Sequence, residues 1–188
     1  SDTATSSNNT FSTGTLDLRL SDGDQADKHN VQKSFGEDGL MPGDDIDRPA
    51  TPLTVRNDGS IDGDHILMTV TLPNSMSTDL AENIIIDDLR FGKSDAFDES
   101  DDLKAVILGS TQATPEYYFY ENSGTSFGSF GTYLSLKDLA DAGTIRIERG
   151  SLGDGLDAQT EAKLYMSGYV DTDLTTQGET VRMDIEFI

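Results

Sequence analysis

The sequence predicts an all-β protein, a β-sandwich or jelly roll of about eight or nine strands with one short helix. Apolar residues alternate with polar ones, which places every second side chain on the same face of a pleated strand. The alternating stretches are short and are separated by polar turns rich in Gly, Asp and Ser. Strands do not alternate with helices along the sequence, so helices are not expected to cover the apolar face of a sheet. Two antiparallel sheets are therefore needed to bury the apolar faces.

The alternation is clearest at the two ends of the chain. Residues 16–20 and 181–187 each alternate strictly and are predicted strands. In the first half of the chain, residues 53–55 precede a turn at Asn57, Asp58 and Gly59, and residues 66–72 follow that turn. We expect these two strands to be antiparallel neighbours in one hairpin.

The remaining elements follow from the same pattern and from helix-capping signals. The one predicted helix covers residues 136–142, with Ser135 as N-cap, Asp138 at the third helical position and Gly143 as the stop. The further predicted strands are residues 83–91, 103–108, 116–120, 144–148 and 162–169.

Composition bounds the class of protein. The 188 residues suit a single domain, and 35 acidic against 13 basic residues give a net charge of −22. Such a surface repels nucleic acid and anionic membranes, so neither is an expected partner of the mature protein. The carboxylates recur in many loops, a dispersal typical of a halophile, since molar salt screens repulsion beyond roughly 3 Å.

Cysteine is absent, which excludes disulfides and thiolate metal sites. No apolar run approaches the roughly 18–20 residues of a membrane span. If the protein is exported, we expect its signal peptide to have been cleaved.

The N-terminal tail has an unusual composition. Residues 1–10 contain one small apolar residue, Ala4, and cannot bury enough surface to order themselves. An extended Thr- and Ser-rich segment can nevertheless complete the sheet of another molecule through its backbone hydrogen bonds. The composition favours a donated strand, and the alternative is an ordinary edge strand of the same domain.

Several short motifs carry a resemblance to a known family. Residues 9–18, NTFSTGTLDL, closely resemble the N-terminal signature of the TasA/camelysin family. Residues 40–44 resemble its L-x-P-G-D turn, residues 53–60 its V-x-N-x-G-S strand and turn, and residues 177–181 its closing Q-G-D-S/T-V element. The motifs occur in the family's order near both ends of the chain, whereas residues 75–160 carry no recognisable motif.

The resemblance implies a secreted structural protein. Members of the family are exported by a dedicated signal peptidase and polymerise into biofilm matrix fibres, and related archaeal bundling pili are built in the same way. The implied fold is a jelly roll in which the N-terminal strand of each subunit completes a sheet of the next. The expected location is the cell surface, and the expected partners are identical subunits and neighbouring filaments.

For this chain, the resemblance implies a donor strand at residues 1–12 and a jelly-roll domain at residues 13–188. Phe11 is the one large apolar residue of the donor segment, and it is expected to anchor either in the acceptor groove or in its own subunit's core. The predicted donor residues are Asp2, Thr3, Ala4, Thr5, Ser6, Ser7, Asn8, Asn9 and Phe11.

No enzyme activity is expected. The camelysin name carries a metallopeptidase description, but a zinc peptidase needs two His one helical turn apart and a Glu base. The only histidines are His29 and His65, which lie far apart in predicted loops and are expected at the surface. The same two histidines give no support for a serine triad. We therefore predict no catalytic residue and no required cofactor.

Calcium is the one candidate metal. Asp58, Asp62 and Asp64 lie in one loop and offer the hard oxygen ligands that Ca²⁺ prefers, although the loop lacks the bidentate Glu of an EF-hand. A halophilic surface explains the same residues.

Two further features have candidate roles in binding or modification. Asn8 begins the only N-glycosylation triplet. The aromatic run at residues 117–120 is expected to be a strand with one face in the core, and its outer face is a candidate contact for sugar or for another filament. The alternative function is therefore a monomeric, secreted module that binds calcium or glycan.

Overall fold

The computed structural model describes residues 9–11, 14–16, 18–21, 31–33, 40–46, 53–93, 104, 116–123, 133–150, 154–175 and 183–187. Within these residues the chain is an antiparallel all-β protein with few helices, as the alternation predicts. The predicted donor residues 1–8 and most of the predicted strand at 103–108 lie outside the described residues.

The described part contains thirteen strands, two short helices and the single helical residue Lys104. The helices are α1 (Thr78–Asn83) and α2 (Leu136–Asp141). The strands are β1 (Asn9–Phe11), β2 (Gly14–Leu16), β3 (Leu18–Ser21), β4 (Val31–Lys33), β5 (Asp45–Ile46), β6 (Leu53–Asn57), β7 (Ile66–Thr71), β8 (Ile84–Lys93), β9 (Tyr117–Glu121), β10 (Leu134–Ser135), β11 (Thr144–Arg149), β12 (Thr160–Val170) and β13 (Met183–Phe187).

The strands form two main sheets and one hairpin. The six-stranded sheet has the order β10-β8-β12-β6-β3, with β5 also pairing with β12, and the five-stranded sheet has the order β4-β13-β7-β11-β9. From β6 onward, each successive strand lies in the other main sheet from the one before it. The β1–β2 pair forms a separate two-stranded sheet.

A single hydrophobic core lies between the two main sheets. The alternate residues Leu53 and Val55 of β6 are buried, and so are Ile66 and Met68 of β7 in the other sheet. The ring of Phe91 in β8 meets that of Tyr117 in β9 edge-on, with centroids 4.9 Å apart and planes at 90°. Because this contact joins the two sheets, the domain is a β-sandwich.

The predicted hairpin between residues 53–55 and 66–72 is wrong. Strand β6 pairs with β12 and β3, whereas β7 pairs with β11 and β13 in the other sheet. The connection at residues 58–65 is longer than the 2–5 residues of typical hairpin loops, and it crosses from one sheet to the other. Each strand therefore buries its apolar face from an opposite side of the core.

The predicted helix is confirmed as α2. Ser135 Oγ accepts a hydrogen bond from Asp138 N (3.1 Å), and Asp138 Oδ2 accepts one from Ser135 N (3.0 Å). The two bonds form a reciprocal capping box. Gly143 follows the helix at φ +67°, a conformation that glycine adopts without strain.

The prediction of a single helix is corrected by α1. Ser77 caps α1, since its Oγ accepts a hydrogen bond from Leu80 N (3.1 Å). The helix is six residues long with only Leu80 and Ala81 buried, too short to show a helical period in the sequence. Among the described residues, no helix has the length and apolar character needed to cross a membrane.

The prediction of strand at residues 103–108 is wrong at Lys104, the one described residue of that segment, which is helical. The segment is a short, nearly continuous apolar run, and periodicity alone cannot assign such a run to helix or strand. The strands predicted at 83–91, 116–120, 144–148, 162–169 and 181–187 are confirmed as β8, β9, β11, β12 and β13. Asn83 is instead the last residue of α1, and residues 181–182 lie outside the described residues.

The strand count in the described residues exceeds the prediction for two reasons. Of the predicted strand at 16–20, Leu16 belongs to β2 and residues 18–20 belong to β3. Strands β4, β5 and β10 have only two or three residues each, which is too short for an alternating pattern to be visible.

Candidate functional site

The predicted donor segment begins the described chain as one strand of a hairpin. Strand β1 pairs with β2 in antiparallel register, with Asn9 opposite Leu16, Thr10 opposite Thr15 and Phe11 opposite Gly14. The predicted donor residues Asn9 and Phe11 are thus paired within their own chain. Strand β2 of the same chain therefore competes with any second subunit for these residues, and the donor role stays a prediction. The other predicted donor residues, including the glycosylation candidate Asn8, lie outside the described residues.

Both main sheets end on a strand that has one partner among the described strands. Strand β3 pairs with β6, and β9 pairs with β11. In β9, Tyr117 and Phe119 are buried while Tyr118 and Tyr120 are half-buried, as expected for a strand with one face in the core. A strand at the edge of a sheet can in general add a strand from another molecule through its outer backbone groups.

A buried amide joins two loops at one end of the sandwich. Asn57 is 1% exposed, and its Nδ2 donates to the carbonyl oxygens of Ile61 (2.9 Å) and Leu156 (3.0 Å). Its Oδ1 accepts a hydrogen bond from Gly59 N (2.9 Å). The sequence marks Asn57 as a turn residue, but the bond to Leu156 makes it a crosslink between distant parts of the chain. Residues 57–65 and 154–160 are called the loop junction below.

The two loops of the junction approach each other backbone to backbone. Gly155 N donates to Gly63 O, and Gly63 N donates to Leu156 O, both at 2.9 Å. A Cβ atom at Gly155 would lie 2.6 Å from His65 N, so no other residue fits there without a shift of backbone. Gln159 Nε2 adds a bond to Gly59 O (2.9 Å).

The three predicted calcium residues lie in the loop junction, where two of them have structural contacts. Asp58 pairs with Arg56, and Asp62 Oδ1 accepts a hydrogen bond from Ala158 N (2.8 Å). Asp64 is exposed. Among the described residues, no three His, Asp or Glu side chains form a group that could hold a metal ion. Calcium binding therefore stays a prediction without a preformed ligand set in the described residues.

Arg149 ties the end of β11 to the loop junction. Its Nη2 donates to Asp154 Oδ1 (3.1 Å) and to Asp157 Oδ1 (2.9 Å), and its Nη1 donates to Asp157 Oδ2 (3.0 Å). The hydrogen bonds that Arg149 donates to Asp157, and then those that it donates to Asp154, raise its pKa. This clasp could not be read from the sequence, where Arg149 is one basic residue among many acidic ones.

A polar cluster of His65, Arg146 and Glu148 lies on the five-stranded sheet and is called the outer-face cluster. Arg146 Nη2 donates to Glu148 Oε1 (3.0 Å), and the Glu148 side chain is 0% exposed. Ile145 and Ile147 alternate with these residues and face the core, so the cluster occupies the opposite face. A buried ion pair of this kind is costly to break by removal of one partner.

His65 is part of this cluster and is half-exposed, so it lies at the surface only in part, and His29 lies outside the described residues. Its Nδ1 atom is buried and has no hydrogen-bond partner among the described residues. Burial, followed by the nearby Arg146 charge, lowers the pKa of His65 from its ordinary value of 6.5. The fold therefore favours the neutral imidazole.

The family-like motif at residues 40–44 forms a turn that leads into β5. Leu40 is buried in the core, and Met41 N donates to Asp44 Oδ2 (2.9 Å). Gly43 N donates to Val170 O (2.8 Å), which joins the turn to β12. The motif residues thus have clear structural roles.

No protein-family model, curated protein or solved structure matches this chain. The resemblance to the TasA/camelysin family therefore rests on the short sequence motifs alone. Motif residues 40–44 form the turn that leads into β5, and Asn57 forms the crosslink in the loop junction.

Proposed function

We propose that this protein is a non-enzymatic structural subunit of an extracellular filament, assembled from identical copies by donor-strand complementation. The observation that carries the proposal is that β1, within the part of the chain that the structure describes, forms a three-pair hairpin with β2 and lies outside both main sheets. An isolated two-stranded hairpin is marginally stable in water, so the N-terminal segment gains by joining a larger sheet. The motif at residues 9–18 supports the same role.

The proposed fold is a jelly roll. Its support is the alternation of strands between the two sheets from β6 to β13, together with the single core that the sheets share. A sandwich with one strand position open presents two rows of backbone donors and acceptors to an incoming strand. A strand from the next subunit would form about eight to ten hydrogen bonds there, each worth about 0.5–1.5 kcal/mol before the ordering cost.

Assembly should depend on salt. The contact is heterologous, because one surface of each subunit meets a different surface of the next, and such contacts propagate into fibres. Each subunit carries a net charge of −22, so neighbouring copies repel each other at low ionic strength. Molar salt shortens the Debye length to roughly 3 Å and removes most of this repulsion. These properties fit a surface pilus or biofilm fibre of a halophilic archaeon.

Electron microscopy of the purified protein in molar salt tests the proposal. The full chain should form filaments, and a variant without residues 1–12 should not. Circular dichroism must show that the truncated variant is folded, and a chain with residues 1–12 in scrambled order controls for length. Filaments from the folded, truncated chain would exclude strand donation.

A monomeric binding module is the second candidate. The observation that favours it is the pair Tyr118 and Tyr120, which lie half-exposed on the same face of β9 and can stack on a sugar. Calorimetry with Ca²⁺ and with oligosaccharides in molar salt separates the candidates. Saturable binding by a persistent monomer would favour the module, and a variant with Asp58, Asp62 and Asp64 changed to Asn would locate the calcium.

A further inference from the structure

We infer that the β1–β2 hairpin is an autoinhibitory contact that withholds the donor segment in the free subunit, an inference that rests on the proposed filament function. The register places Asn9, Thr10 and Phe11 against Gly14–Leu16 of the same chain. These three residues belong to the predicted donor strand. The segment therefore has a partner before any second subunit arrives.

Pairing with β2 and insertion into another subunit exclude each other. A strand that fills an open position in a sandwich uses both of its backbone edges, one toward each flanking strand. Strand β1 has one of those edges occupied by β2. The hairpin must open before Asn9, Thr10 and Phe11 can be inserted.

The hairpin is weak enough to open. Over the described residues 9–11 and 14–16, it has three register pairs and belongs to neither main sheet. Residues 12–13 connect its strands, and their sequence, Ser-Thr, lacks the Asn-Gly or Asp-Gly that two-residue hairpin turns favour. The rate of strand donation is therefore reduced in proportion to the fraction of subunits in which the hairpin is open, but donation is not prevented.

A reversible crosslink tests this role. The chain has no cysteine, and Thr10 lies opposite Thr15, so a T10C/T15C variant introduces one defined pair. Directly opposed residues in an antiparallel ladder have Cα atoms about 4.5–5.5 Å apart, within the range that a disulfide spans. The oxidised variant should grow filaments at least about tenfold more slowly than its reduced form. Mass spectrometry of dilute oxidised protein verifies an intramolecular bond.

The matched control introduces a cysteine pair between two strands of a main sheet, β7 and β11. Thr69 lies opposite Thr144, with their hydroxyl oxygens 3.4 Å apart, and T69C/T144C should grow at a rate independent of reductant. A second variant, Gly14→Pro, removes the β2 backbone N–H from the hydrogen-bonded pair Phe11–Gly14 and leaves residues 1–12 unchanged. It should shorten the lag before growth.

The outcomes separate the two proposals. If reduced and oxidised T10C/T15C grow at the same rate, the autoinhibitory role is overturned and the filament function stands. If neither the natural chain nor Gly14→Pro forms filaments at any salt concentration, the filament function fails and the hairpin role fails with it.

Discussion

The loop junction and the N-terminal hairpin are both antiparallel backbone contacts, but they are held very differently. At the junction, the buried Asn57 amide uses both its Nδ2 and its Oδ1, and Arg149 clasps two carboxylates beside it. In the hairpin, the described contact is backbone register alone. A net backbone hydrogen bond is worth about 0.5–1.5 kcal/mol, which barely offsets the entropy lost when its residues are ordered. A permanent contact therefore differs from an exchangeable one mainly in its buried, hydrogen-bonded side chains.

The largest expected effect on the free energy of unfolding is in the hydrophobic core between the two main sheets. Phe91→Ala removes a fully buried ring that contacts Tyr117 across the two sheets, and it should lower the free energy of unfolding by about 3–5 kcal/mol. Denaturant titration in molar salt measures this change. Tyr133→Ala, at a residue that is 64% exposed, is the control and should change stability by about 0.5 kcal/mol or less. A loss below about 1 kcal/mol at Phe91 would contradict the shared core.

The next effect concerns the buried amide. Asn57→Ala leaves the carbonyl oxygens of Ile61 and Leu156 without their donor and should cost about 1–3 kcal/mol in the same titration. Asn122→Ala provides the matched control, because Asn122 is exposed. Equal effects at the two positions would show that the crosslink does not stabilise the junction.

A smaller effect is expected at the clasp. Arg149→Lys keeps the charge but cannot bond two carboxylates in forked geometry, and the expected loss is about 1–2 kcal/mol. Lys137→Ala breaks the more exposed pair with Asp141 in α2 and should cost less, because water screens an exposed ion pair. If the two variants lose the same stability, the clasp is no stronger than a surface pair.

The pH dependence tests the outer-face cluster, where His65 lies near Arg146, Glu148 and Asp64. Because the folded pKa of His65 is below 6.5, the unfolded chain takes up the proton first as the pH falls. The contribution of His65 is therefore complete above pH 6.5, is lost as the pH falls toward the folded pKa, and then levels off.

Denaturant titrations from pH 7.5 to 5 measure this dependence. His65→Gln should reduce the slope of stability against pH, and His29→Gln reports the contribution of the only other histidine. An unchanged slope in His65→Gln would show that His65 does not contribute to the pH dependence of stability.

The smallest effect on stability is expected in the hairpin. Thr10→Pro removes a backbone donor of β1 and should change the free energy of unfolding by about 0.5 kcal/mol or less, since the hairpin belongs to neither main sheet. Thr69→Pro, in β7 between β11 and β13, is the control and should cost about 3 kcal/mol or more. A large loss at Thr10 would show that the hairpin is part of the fold.

The sequence by itself determined the all-β class, most of the longer strands and the capping box of α2. These features are local: alternation at period two and a Ser–Asp pair three residues apart act within a few residues of chain. The short strands β4, β5 and β10 and the six-residue helix α1 were missed, because such elements contain too few residues to carry a period.

Only the tertiary structure decided which strands are neighbours. The pattern in residues 53–72 fits a hairpin as well as two strands in different sheets, and the choice depends on β12 and β11, which lie far along the chain. The bond from Asn57 to Leu156 and the carboxylate partners of Arg149 likewise arise from folding. Alternation reports which side chains become buried, whereas pairing depends on distant segments that compete for the same backbone edge.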